Sequence, residues 1–251
     1  MAYRHATQRE QYWDFSPGVV LRSAPGFPGF PVRLASELLL RARTHLPSGP
    51  LHLWDPCCGS GYLVTVLALL HRRHLASVHA SDIDGDAVGL AARNLALLSA
   101  DGLTERAREL RIEARRLNRP AMLERSAAAE RLASLRDAHG GAVPHTLARG
   151  DAFAPQPPTT PTDVVLTDVP YSELTHWHGS LPCDEPPLLA LLRSVAEVVP
   201  QHAVLVVTAR TRKVALPGEL KPLERFRLGS RAAVFLRAAA IPGEHRGENL
   251  G

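Results

Sequence analysis

The chain has 251 residues, 45% hydrophobic and 22% charged, with 29 Lys+Arg against 25 Asp+Glu for a formal charge of +4. That composition excludes wholesale disorder and a fibrous fold. The length suits one large domain, or one domain carrying an insertion. Apolar runs such as Val66–Leu70 fall far short of the roughly 20 residues that a membrane span needs. The polar start, Met1–Glu10, has no apolar signal core, so a cytoplasmic protein without membrane attachment is expected. Only Lys213 and Lys221 are lysines, and every other cationic side chain is arginine. A GC-rich coding genome accounts for most of that bias, yet a pI near 9.3 also suits a polyanionic partner. Cys57 and Cys58 are adjacent in a total of three cysteines, which is neither a disulfide framework nor a zinc spacing. A reducing compartment fits that usage. The histidines, His176 and His178 included, show no spacing that suggests a metal site.

In chain order, residues 1–31 form an irregular arm rich in Pro, Gly and aromatic rings. Val32–His45 has helical apolar spacing and stops before Pro47. Leu51–Trp54 reads as a strand, Asp55–Gly61 as a Gly-rich turn, Tyr62–Leu75 as an apolar helix, Val78–Ser81 as a second strand and Asp84–Ser99 as a helix. This alternation predicts a parallel sheet wrapped by helices. The stretch 103–143 breaks the rhythm and is too long for an ordinary connection. Its Ala, Arg, Glu and Leu content predicts helix, with nine Arg interleaved with five Glu between Glu105 and Arg136. Two readings stand: a solvated helical pair laced by ion pairs, or an inserted substrate clamp whose surplus Arg meets phosphate. Sheet rhythm resumes with strands at His145–Arg149, Asp163–Thr167 and Ala203–Thr208, and a helix at Pro186–Val199. Phe226–Leu228 and Ala232–Leu236 close as an antiparallel pair turned near Gly229-Ser230.

Four strands in succession therefore end in polar or Gly-rich elements: Asp55–Gly61, Asp82, Gly150-Asp151, and Asp168-Val-Pro-Tyr171. In a parallel sheet these ends share one rim, which is where ligands bind. Gly59 and Gly61 allow a ligand to approach the backbone at a helix N-terminus. Asp82 is placed to accept bonds from ribose hydroxyls. The third glycine of a pyrophosphate turn is replaced by Val64, which disfavours a dinucleotide. Asp55 would repel phosphate and suits a ligand with a cationic end.

These motifs resemble those of S-adenosylmethionine-dependent methyltransferases acting on nucleic acids. Asp55-Pro-Cys-Cys-Gly-Ser-Gly61 is similar to their D-P-x-C-G-S-G turn, Ser81-Asp82-Ile83-Asp84 to their second motif, Gly150-Asp151-Ala152 to their third, and Asp168-Val-Pro-Tyr171 to their D/N-P-P-Y/F motif. Across the whole chain, arm and Arg-rich insertion included, the sequence resembles the avilamycin-resistance family of 23S ribosomal RNA guanine methyltransferases. The resemblance implies a Rossmann-like α/β fold with a mostly parallel seven-stranded sheet and a helical insertion, all in a single methyltransferase domain. It implies S-adenosyl-L-methionine as cofactor, 23S rRNA or the large ribosomal subunit as partner, resistance to an orthosomycin antibiotic as outcome, and no obligate protein partner. By the same resemblance, Asp55, Cys57, Gly59 and Gly61 would line the methionine part of the cofactor, Asp82 and Ile83 its ribose and adenine face, and Asp151 and Ala152 its exocyclic amine. Arg33 is a further candidate, for the cofactor carboxylate.

The last motif has a direct chemical reading. An exocyclic base amine is a poor nucleophile, and the Asp168 carboxylate with the Val169 carbonyl would accept its two N–H bonds and aim its lone pair. Positioning and charge stabilisation then carry the reaction. Pro170 would stiffen the turn and Tyr171 would stack on the base. Val169 departs from the motif's first proline, which predicts a looser turn. His176, Trp177 and His178 either wall the base pocket or pack locally. The rivals are a DNA or protein-glutamine amino-methyltransferase, and a non-catalytic RNA-binding protein with a retained cofactor pocket.

Overall fold

The computed structural model describes residues 3–169, 177–181, 185–217 and 220–243. Seven strands form one sheet: β1 (Leu51–Asp55), β2 (Leu75–Asp82), β3 (His145–Arg149), β4 (Val164–Asp168), β5 (Val204–Ala209), β6 (Glu224–Leu228) and β7 (Arg231–Arg237). The order is β3-β2-β1-β4-β5-β7-β6. The first five run parallel, while β7 is antiparallel to β5 and β6 to β7. The chain leaves β1 for β2 on one side and returns to β4 on the other, so the strand order reverses at β1. That switch opens a crevice at the carboxyl ends of β1 and β4.

Strand alternation splits the core. Val164, Leu166, Val204 and Val206 face one layer, and Val165, Leu205 and Val207 face the other. The first layer holds α1 (Val32–Arg43), α2 (Tyr62–Leu70), α3 (Gly85–Leu95), α4 (Gly102–Arg116) and α5 (Ala121–Ala138). The second holds α6 (Pro187–Val198). The expected Rossmann-like, mostly parallel seven-stranded sheet is present. No helix of the described residues is long and apolar enough to cross a membrane.

Most sequence boundaries shift by a residue or two, but three shifts are larger. The helix expected over Tyr62–Leu75 ends at Leu70, a 3-10 turn takes Arg72–His74, and β2 starts early because Leu75 pairs with Leu51. The helix expected to run to Ser99 gives way at Ala96–Leu98 to another 3-10 turn. The 103–143 stretch is a helical hairpin, α4 and α5, broken at Leu117–Pro120, where Asn118 takes a left-handed φ of 47°.

The arm is tied down rather than loose. The backbone N–H groups of Arg4, His5 and Ala6 donate to the carboxylate of Glu37, at 2.7, 2.9 and 2.8 Å. Arg41 donates to the same fully buried carboxylate from one turn along α1, at 2.7 Å. Burial pushes Glu37 up, but the three N–H groups and Arg41 outweigh it and hold the group below its ordinary value. Further along, Phe15, Val20, Leu21 and Phe30 are buried in the first layer.

Candidate active site at the carboxyl rim of the sheet

The turn after β1 is shaped by its own backbone. Cys58 N–H donates to Ser81 O of β2 (2.9 Å) and Gly61 N–H to Cys58 O (2.8 Å). Gly61 has φ of 68°, and a Cβ there would lie 3.1 Å from the Cβ of Ala91 in α3. Gly61 is therefore required by helix packing as well as by any ligand. Gly59 is different: a Cβ there would meet only the Phe27 ring, at 3.7 Å. Its backbone is open to a ligand on the rim.

Three carboxylates converge beside this turn. Asp55, at the end of β1, is 2% exposed. It accepts Cys57 N–H at 3.2 Å and has Thr167 beside it. Burial pushes it up from 3.8 to about 7, against the pull of Thr167 and Cys57, and repulsion from Asp82 and Asp168 adds to the rise. Among the described residues no cation pairs with Asp55. Asp82, at the end of β2, accepts Gly59 N–H (2.7 Å) and Asp84 N–H (3.0 Å), so it locks the two βα turns to each other. Ile83 is half-buried next to it, and its carbonyl accepts Arg149 Nε at 3.0 Å. Burial, with the nearby carboxylates, drives the Cys57 and Cys58 thiols well above their ordinary value, so both stay protonated and unreactive.

Asp168, at the end of β4, is held by Arg231, whose Nη1 lies 2.6 Å from one carboxylate oxygen and 2.8 Å from the other. The Arg231 guanidinium in turn sits over the Phe30 ring, 4.7 Å from its centroid. Burial raises Asp168 above the usual carboxylate range, and Arg231 offsets part of the rise. Neither Arg231 nor Phe30 was a sequence candidate. A cation opening the second strand of a hairpin carries no motif. It becomes legible only once β7 is known to start on the rim, with β5 alone between it and β4.

Two expectations are corrected here. Val169 itself is not loose: its N–H donates to Thr208 O of β5 at 2.9 Å, and its side chain is buried in the second layer. Proline lacks that donor, so valine extends the β4–β5 ladder by one bond. Arg33 is engaged by the arm, with its guanidinium on Ala6 O and Thr7 O (both 2.8 Å) and over the Tyr3 ring (3.8 Å). Pro170, Tyr171 and His176 lie outside the described residues.

Asp151, after β3, accepts Phe153 N–H at 2.9 Å and Ser180 N–H at 2.6 Å. A Cβ on Gly179 would fall 2.3 Å from its Oδ1, so the 177–181 segment lies directly against this carboxylate. Trp177 packs on Phe153, with centroids 5.7 Å apart, and like Ala152 and Cys57 it packs against the second core layer, while His178 is exposed. Asp55, Asp82, Asp151 and Asp168 therefore end four neighbouring parallel strands on one edge, as the motif order predicted.

The geometry fits a ligand with a cationic head at Asp55, an open approach at Gly59 and a hydroxylated centre at Asp82. The chain matches the family model described as rRNA methyltransferase AviRa over residues 1–231. The chain belongs to the AviRa rRNA methyltransferase family. A Streptomyces viridochromogenes protein named 23S rRNA (guanine(2535)-N(1))-methyltransferase is 51% identical over 246 residues, covering 96% of this chain and 97% of its own length. Two solved structures of rRNA methyltransferase aviRa from that organism match with TM-scores of 0.86 and 0.88, at 50% and 51% identity. Each covers 96% of this chain and 98% of the other. Family membership makes this chain a methyltransferase, and the fold and rim motifs agree with it.

Proposed function

We propose that this chain methylates N1 of a guanine in 23S ribosomal RNA, with S-adenosyl-L-methionine as methyl donor, in a reducing, cytoplasmic setting, and so confers resistance to an orthosomycin antibiotic of the avilamycin type. The observation that carries the reading is the Asp168–Arg231 pair on the same rim as the Asp55–Gly61 turn. It is supported by 51% identity to a protein named for this reaction. The cofactor, when bound, supplies an electrophilic methyl group on a sulfonium. Asp55, buried and with no cation paired to it among the described residues, would partner its ammonium; Gly59 would give it backbone access, and Gly61 holds the turn. Asp82 would face its ribose, with Ile83 on the adenine. Asp151, Ala152 and Cys57 would complete the wall on the β3 side.

N1 is a ring nitrogen, so the exocyclic-amine geometry gives way to a different requirement. Guanine N1 carries a proton, and methylation there leaves a neutral product only if that proton departs. Asp168 is the acceptor at hand. Its pKa is raised by burial, which brings it nearer neutrality and makes it a better base than an ordinary carboxylate. Arg231 fixes both its oxygens and stabilises its charge. Because N1 lies on the Watson–Crick edge, the target base must be unpaired when it reaches the rim. Tritiated methyl transfer to 23S rRNA, 16S rRNA, tRNA, DNA and a protein extract, side by side, tests the reading. Label in 23S rRNA alone, lost in Asp168→Ala, is expected. Label in DNA or protein defeats it.

A further inference from the structure

The α4–α5 hairpin carries nine arginines, and the structure sorts them into two groups. Four fasten the hairpin to itself and to the body. Arg106 donates to Val20 O and Glu109, Arg111 pairs with Glu130, and Arg131 binds Asp14 (2.6 and 2.8 Å) and Glu124 (3.0 Å). Arg136 caps the carbonyls of Ser99 and Ala100. The remaining five, Arg108, Arg115, Arg116, Arg119 and Arg125, are exposed, and their guanidinium groups make no hydrogen bond or ion pair within the described residues. Three of them crowd the tip, at Arg115, Arg116 and Arg119.

Topology places that tip on the site's side of the molecule. The base of the hairpin is pinned at the opposite edge, where strands begin: Val143 N–H donates to Leu98 O, and Arg72, just ahead of β2, donates to Gly141 O. From there α4 runs away from the base, packed against α5. Glu109 meets Arg22, which also donates to Arg93 O on α3. Arg22 thus ties Glu109 of α4 to the stretch of α3 where Asn94 donates to Ser60 O of the rim turn (2.9 Å), and Arg116 lies seven residues, about 10 Å, further along α4 from the base. The tip is also apolar in an unusual way. Of the five large hydrophobic residues exposed among the described residues, Ile112, Leu117 and Leu123 stand on this hairpin. Unpaired arginines with exposed aliphatic side chains between them match a sugar-phosphate backbone and the base faces of an irregular RNA.

We propose that the α4–α5 tip is an RNA-docking arm that grips phosphates flanking the target guanine, through Arg115, Arg116 and Arg119 with Arg108 behind them. The inference rests on the proposed rRNA substrate and names how the enzyme holds it. Two double variants remove equal charge: Arg115→Gln/Arg116→Gln at the tip and Arg73→Gln/Arg227→Gln on exposed arginines away from it. Binding of a 23S rRNA fragment is measured against salt, without cofactor, after circular dichroism and melting confirm that both variants fold. The tip variant is expected to flatten the log K against log salt slope by about 1.5 and to raise KM about 10-fold with kcat little changed. The control keeps the wild-type slope. Equal slopes for the two variants overturn the inference. So does a tip variant that methylates naked rRNA normally and fails only on assembled subunits, which would place a protein at the tip. If the wild type methylates no rRNA at all, the functional reading fails, while the slopes still report on the arm.

Discussion

Replacing Asp55 by Asn separates what this residue costs the fold from what it gives the ligand. Asp55 holds its proton up to about pH 7, against an ordinary 3.8. The folded chain therefore binds that proton more firmly than the unfolded chain does. Stability from this group is greatest below about pH 4, falls as pH rises to about 7 and stays low above it. At about 1.36 kcal/mol per pKa unit the full effect is at most about 4 kcal/mol. Asn keeps the oxygen that accepts Cys57 N–H and has no charge to bury. Denaturant unfolding at pH 4.5 and pH 8 is expected to give stabilities within about 1 kcal/mol of each other for wild type and Asp55→Asn at the lower pH. At pH 8 the variant should be the more stable by about 2–4 kcal/mol. Cofactor affinity should move the other way. Loss of a charge-assisted bond costs about 1.5–3 kcal/mol, or roughly 10- to 150-fold weaker binding. Wild-type affinity should itself rise with pH through about 7. A variant that is equally or less stable at pH 8, with unchanged cofactor affinity, would refute the reasoning.

Arg231→Gln removes the charge that keeps Asp168 from rising further; the acidic limb of the kcat pH profile should move to higher pH, with Arg231→Lys restoring part of the shift. An unmoved profile with uniformly lower kcat would make Arg231 merely structural. Gly102→Ala places a Cβ 1.9 Å from the backbone oxygen of Ala96 at the take-off of α4, so something must shift. Melting should show a loss of about 1–3 kcal/mol, and RNA binding should weaken with the hairpin's aim. Glu37→Ala strips the acceptor from the N–H groups of Arg4, His5 and Ala6, while Arg41 keeps Glu224; a loss of about 1–3 kcal/mol and faster proteolytic cutting within residues 3–12 are expected. Because Glu37 is held low, acid should release the arm as pH falls through about 4.5 and below.

The sheet was readable because each parallel strand is a short apolar run that ends in a turn residue. Asp55, Asp82, Asp151 and Asp168 were readable for the same reason: a carboxylate at a strand end needs no tertiary information to be placed on the rim. What stayed hidden depends on strand order and long-range bonds. Arg231 reaches Asp168, 63 residues back along the chain, only because β7 lies beside β5. Glu37 looks like one charge on an amphipathic helix until the arm folds over it. Val169 looked like a weakened motif because its N–H donates to a strand 39 residues away, and a proline pattern carries no trace of that donor. The arginines of the hairpin could not be sorted from sequence, since Arg131 and Arg125 are alike until Asp14 and Glu124 are placed beside the first.

The measurement that tests the account most directly is nucleoside analysis of 23S rRNA after reaction with the wild-type chain and with Asp168→Asn. 1-Methylguanosine is the expected new nucleoside, formed by the wild type and reduced at least about 100-fold in the variant, consistent with loss of a general base. A methyl group on the exocyclic nitrogen, or equal 1-methylguanosine from both proteins, would contradict it.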